Sequence, residues 1–256
     1  MIETSVSAPG GVRIATQDHG GTGPAIVLLH GRGRDQQDWH RLLPLLRKAG
    51  LRPVTMDLRG HGRSSAAPWG WAEAVADLEA VVDHLGLDRP AIVGHSLGGM
   101  VAAVWAREHP RCPLAVNVDG HPGPAGPHSY DEPDPAAAAA AHAVVTAFET
   151  ELDAEEGPDP GWEQYLSTFE GFDLLEIYRK TRCRLLVVSA EHDEDEDDLP
   201  PEVAAAFASH RRGIARDLAF VAGQTPLFSA TSLPTTHDVH LEDPAGLARL
   251  VLAELA

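Results

Sequence analysis

The hexapeptide Gly94-His95-Ser96-Leu97-Gly98-Gly99 constrains this chain more than any other stretch. It follows the apolar run Ala91-Ile92-Val93 and precedes a helical pattern carried by Met100, Val101, Val104 and Trp105. A strand that becomes a helix within one residue forces that residue into strained backbone geometry. Side chains on its flanks would strike neighbouring backbone, and glycine there removes the conflict. The Ser96 hydroxyl then stands above the strand end, at a helix N-terminus whose free N–H groups can bind an oxyanion. G-x-S-x-G in this setting is a nucleophile elbow.

The rest of the chain supplies the sheet that such a turn needs. Ala25-Ile26-Val27-Leu28-Leu29 is a continuous apolar run after Gly23-Pro24, as expected for a strand buried on both faces. Pro53–Met56, Leu114–Val118 and Leu185–Val188 are further candidates. Between them lie helical periods. Trp71, Val75, Leu78, Val82 and Leu85 recur at three- and four-residue steps before Gly86. Val203, Phe207, Ile214, Leu218 and Val221 define another helix, ending near Gly223. Asp243-Pro244 reads as N-cap and first-turn proline of a last helix through Leu255. Strands alternating with helices predict a doubly wound, mainly parallel α/β sheet.

The alternation stops between His121 and Thr181. Five prolines (Pro122, Pro124, Pro127, Pro133, Pro135) lead into Ala136–Ala141, and Trp162, Tyr165, Phe169 and Phe172 follow at helical spacing. This segment holds seven of the 14 aromatic residues, which form either its own core or the wall of a pocket. The expected organisation is a core of residues 1–120 and 182–256, with a helical cap inserted at 121–181.

Charge and composition narrow the function. The 20 Lys+Arg against 38 Asp+Glu give a net charge of −18. Residues 131–198 carry 20 of those acids, and the bland reading of the run is a solvated surface. A nucleic-acid partner needs a basic footprint, and an anionic membrane repels this charge, so neither is expected. No basic start followed by an apolar run opens the chain and no long apolar stretch occurs, so the expected location is cytoplasmic. Cys112 and Cys183 have neither disulfide-framework nor zinc spacing. Phosphate-loop and dinucleotide fingerprints are missing too. No metal or cofactor is expected, and the partner is a small-molecule substrate.

A serine at neutral pH needs a general base. Among 14 histidines, His237 lies on the loop before the last helix, where the chain order Ser…acid…His puts the base; His240 is its neighbour and competitor. A carboxylate must fix the base's tautomer. Asp193, in Ser189-Ala190-Glu191-His192-Asp193 after a late strand, is the expected acid, and Asp119, after strand Leu114–Val118, is the alternative. The oxyanion donors are the backbone N–H groups of Leu97 and of Arg32, which follows His30-Gly31.

Four features in this order, His30-Gly31, Asp57-Leu58-Arg59-Gly60-His61-Gly62-Arg63-Ser64, Gly94–Gly99 and His237 before Leu241-Glu242-Asp243-Pro244, resemble the α/β-hydrolase fold superfamily. The resemblance covers nearly the whole chain. It implies a cap after the sixth strand and a Ser96–His237–Asp193 triad, with Asp119 taking the acid's place in relatives whose acid follows the sixth strand. It implies a structural role for the Arg59–Ser64 turn. Epoxide hydrolases and haloalkane dehalogenases on this scaffold use an aspartate nucleophile, against which Ser96 speaks. The leading expectation is hydrolysis of a carboxylic ester or lactone of a small, largely apolar substrate. Carbon–carbon bond hydrolysis and cofactor-free peroxide chemistry use the same triad. A non-enzymatic receptor on the same scaffold is the rival from another class.

Overall fold

The computed structural model describes residues 2–156, 160–192 and 199–256, with side chains at all of these except 152–156 and 160–163. Eight strands form one sheet: β1 (Ile2–Ser7), β2 (Arg13–Asp18), β3 (Ala25–Leu29), β4 (Arg52–Met56), β5 (Ala91–His95), β6 (Ala115–Val118), β7 (Leu185–Ala190) and β8 (Phe228–Leu233). Their spatial order is β1-β2-β4-β3-β5-β6-β7-β8. β4 through β8 in that order are parallel, and β1 and β2 add an antiparallel edge.

The apolar runs are strands because both faces of the sheet are covered. Successive side chains point to opposite faces. On β3, Val27 and Leu29 join a core with α2 (Trp71–His84), α3 (Leu97–Glu108), α6 (Leu174–Arg179) and α7 (Pro201–Ala222). Ile26 and Leu28 join the other core, with α1 (Leu43–Lys48), α8 (Val239–Glu242) and α9 (Pro244–Leu255). The doubly wound α/β expectation is met. Asp243 caps α9 as its sequence indicates, accepting from Gly246 N–H at 2.7 Å.

Three strands had no sequence signal. β1, β2 and β8 lie at or next to the sheet's edges, and the outer pair expose half or more of their residues. They need no continuous apolar run. The Arg59–Ser64 turn is a structural knot: the Arg59 guanidinium makes 2.7 and 2.8 Å bonds to buried Asp77 of α2, and Asp57 accepts from Arg63 N–H at 2.9 Å.

Between β6 and β7 lie α4 (Pro135–Glu156), α5 (Pro160–Ser167) and α6. Asp134 caps α4 through bonds from Ala136 and Ala137 N–H at 2.9 Å. Val145 of α4 packs against Ala206 of α7. The helix expected through Phe172 stops at Ser167, and the aromatics beyond it turn back onto the first residue of α2. Phe172 stacks on Trp71 at 4.0 Å, Phe169 meets the same ring edge-on at 5.2 Å, and Trp71 Nε1 donates to Thr168 O at 2.9 Å. Tyr165 lies 6.3 Å from Trp69. These side chains therefore anchor the segment to the core. Among the described residues, no helix is long and apolar enough to cross a membrane.

Candidate active site

Ser96 is the one residue between β5 and α3, with φ 51° and ψ −117°. The strain is held by close packing. A Cβ on Gly94 would overlap the backbone of Gly98, and one on Gly98 would overlap the carbonyl of Leu29 at the end of β3. Ser96 N–H donates to Val118 O at 2.8 Å, so the elbow is pinned to the end of β6. The next residue there is Asp119, also left-handed at φ 49°. Because His95 pairs with Val118 in register, Ser96 and Asp119 leave the sheet side by side.

His237 meets Asp119 from the other end of the chain. Its Nδ1 lies 2.7 Å from Asp119 Oδ2. The second oxygen, Oδ1, accepts from Ala190 N–H at 2.9 Å at the end of β7. Burial raises the Asp119 carboxyl, but the bond from His237, the charge of His121 and the Ala190 N–H together hold it below the ordinary carboxylate value. A carboxylate on Nδ1 fixes the tautomer that leaves Nε2 bare to take a proton.

Asp193, the acid expected from the sequence, lies outside the described residues. Asp119, the alternative acid, has its Oδ2 2.7 Å from Nδ1 of His237. His240, the competing base, is fully buried on α8 with Nε2 3.4 Å from Asp38 Oδ2.

Leu97 is the first residue of α3, so its N–H has no partner within the helix. The facing loop is set by His30, which is fully buried. Nδ1–H donates to Gly31 O at 2.7 Å and Nε2 accepts from Leu58 N–H at 3.0 Å. That arrangement requires a neutral ring, and burial lowers the His30 pKa accordingly. The Arg32 guanidinium extends toward the helical segment and lies 5.3 Å from the Tyr165 ring centroid.

Sequence reasoning passed over several residues that shape this end of the sheet. Asn117 sits inside β6, fully buried. Its Nδ2 donates to Gly120 O at 2.8 Å and Tyr178 Oη at 2.7 Å, and its Oδ1 accepts from Gly120 N–H at 2.8 Å. It thereby fixes the turn that carries Asp119. A polar residue in an otherwise apolar strand was the available signal. Glu242 receives Thr236 N–H at 2.9 Å and the Thr236 hydroxyl, steadying the loop of His237. A cavity of about 320 Å³ is lined by His121, Phe172, Leu174, Tyr178, His210 and Ile214 among others; neither Ser96 nor His237 lines it.

Asp38, His95 and His240 each bring a ligand-type atom within 4.8 Å of the others. The Arg34 guanidinium already pairs with Asp38 at 3.2 Å, so the cluster has its cation.

The comparisons agree with this fold. The α/β-hydrolase fold family model matches residues 24–212, and the chain belongs to that family. A 101-residue stretch is 39% identical to epoxide hydrolase B of Mycobacterium tuberculosis (strain ATCC 25618 / H37Rv), covering 38% of this chain and 28% of that protein. A 106-residue stretch is 39% identical to a non-heme haloperoxidase of Rhodococcus erythropolis, covering 41% and 38%. The match thus spans well under half the length of these relatives. Over the whole chain, the fold is similar to the crystal structure of the enol-lactonase from Burkholderia xenovorans LB400, with TM-score 0.69, 21% identity and coverage of 98% and 99%.

Proposed function

We propose that this chain is a serine hydrolase that cleaves a carboxylic ester or lactone of a small, largely apolar substrate. The observation that carries the reading is the 2.7 Å pair between His237 Nδ1 and Asp119 Oδ2, at the strand ends where half-buried Ser96 stands in its elbow. In this reading the acid is Asp119. Ser96 Oγ attacks the carbonyl carbon while His237 Nε2 takes the hydroxyl proton. The N–H groups of Leu97 and Arg32 stabilise the tetrahedral oxyanion. His237 then gives the proton to the leaving alkoxide. Water, deprotonated by His237, hydrolyses the acyl-enzyme and frees Ser96. No cofactor takes part.

Residues 121–181 serve as a cap on the core formed by 1–120 and 182–256. The contact of Arg32 with Tyr165 supports a roof over the oxyanion loop. The epoxide hydrolase similarity does not extend to the chemistry, since a serine occupies the nucleophile's position. The haloperoxidase similarity favours a second reading, in which hydrogen peroxide intercepts the acyl-enzyme in place of water and releases a peracid with Ser96 regenerated.

Ser96→Ala is expected to abolish hydrolysis of a p-nitrophenyl acyl ester and labelling by a fluorophosphonate, with the circular-dichroism spectrum unchanged. Turnover at the wild-type rate would overturn the proposal. Peracid formation from a carboxylic acid and peroxide, faster than ester hydrolysis, would favour the second reading.

A further inference from the structure

The residue before the nucleophile does not point at solvent or at substrate. His95 is 1% exposed. Its Nε2 lies 2.9 Å from the carbonyl oxygen of His237. A carbonyl only accepts, so Nε2 carries the hydrogen and Nδ1 is bare. Nδ1 is buried with no hydrogen-bond partner, and a Cβ on Gly31 would come within 2.9 Å of it and 3.2 Å of Ser96 Cβ. The ring is wedged between the rings of His237, at 4.5 Å, and His240, at 4.3 Å.

A second layer fixes that wedge. His240 is fully buried, its ring 4.8 Å from Trp39 and its Nε2 3.4 Å from Asp38. Arg34 bridges Asp38, at 3.2 Å, to Asp238, at 2.6 Å. Asp238 directly follows His237. The backbone around the base is therefore tied on both sides, by His95 at its carbonyl and by Arg34 at the next side chain.

We propose that His95 is a positioning residue, whose Nε2–H tether to the His237 carbonyl holds the base in register with the serine one residue away. The proposal rests on the Ser96–His237–Asp119 reading. Nucleophile and base sit on segments 141 residues apart in sequence, and His95 joins the two backbones by a single bond. The tether needs the hydrogen on Nε2, and in the neutral ring the unpartnered Nδ1 is then bare. Burial, His240, His237 and Arg34 all push the His95 pKa well down, against the carbonyl bond that raises it.

The experiment compares His95→Phe, which keeps a ring and loses the donor, with His95→Gln, whose Nε2 keeps one. His95→Phe is expected to lower kcat on p-nitrophenyl acyl ester by roughly 10- to 100-fold with KM changed little, because small misplacements of reacting groups cost about that much. His95→Gln is expected to recover most of the loss. Imidazole 15N spectra of the wild-type protein at pH 7 are expected to show His95 protonated at Nε2 alone. Ser96→Ala is run beside them. If it is inactive and His95→Phe turns over like wild type, the tether is overturned and the triad stands. If Ser96→Ala is active, both fall. Should His95→Phe fail to fold, a His95 ring protonated at Nδ1 overturns the tether, and Nε2 protonation with an active Gln variant upholds it.

Discussion

Asp119 shows how much one residue's surroundings decide. Both its oxygens are engaged, one by His237 and one by Ala190 N–H, and its carboxyl is held below the ordinary value. Asp119→Asn keeps the shape but presents an amide that can favour the wrong imidazole tautomer. In a Ser-His-Asp site that change lowers kcat by about 10⁴-fold. The expected outcome here is a loss of that order in steady-state ester hydrolysis, and activity within tenfold of wild type would remove Asp119 from the reaction. The sign for stability follows from linkage. The native carboxyl binds its proton less readily than the unfolded one at 3.8, so its contribution is present above pH 3.8 and fades as pH falls through the lower native value.

At the scale of elements, β6 does more than fill the sheet. Val116 and Val118 bury on one face, while Asn117 between them spends its amide on Gly120 and Tyr178. The strand thus delivers Asp119 in a left-handed turn clamped to α6. Asn117→Ala strands the Gly120 N–H, the Gly120 carbonyl and the Tyr178 hydroxyl in the interior. An unsatisfied buried polar group costs about 1–3 kcal/mol. Allowing for partial relaxation, the expected destabilisation is on the order of 2–4 kcal/mol in urea-unfolding midpoints, accompanied by weaker ester hydrolysis. A variant as stable as wild type would show that the clamp is dispensable.

Across the whole molecule, buried histidines set an acid limit on stability. Burial lowers the pKa of His19, His30, His95, His121 and His210, the last to about 4. The unfolded chain takes these protons near 6.5, whereas the native state refuses them. More protons on the unfolded side means stability falls as pH drops from 6.5 toward the native values. Relief of the −18 net charge works the other way. The carboxylates that carry that charge titrate near pH 4, so their relief comes later. The denaturation midpoint should therefore fall between pH 7.5 and 5.5, and a flat or rising midpoint over that interval would show that the histidines protonate freely in the native state.

Local sequence was enough to write the elbow at Ser96, the Asp134 and Asp243 caps and the buried strands, because each depends on a few neighbouring residues and on whether a run is apolar. It also ordered the candidate nucleophile Ser96 and the candidate base His237 along the chain. It could not say which carboxylate meets His237, since every acid after a strand end looks alike. That choice belongs to the register of β6 between β5 and β7, which sets Asp119 beside Ser96 and against the imidazole. The grip of His95 on the His237 carbonyl is likewise a tertiary fact: it forms only when the sheet brings together two segments that share no local pattern.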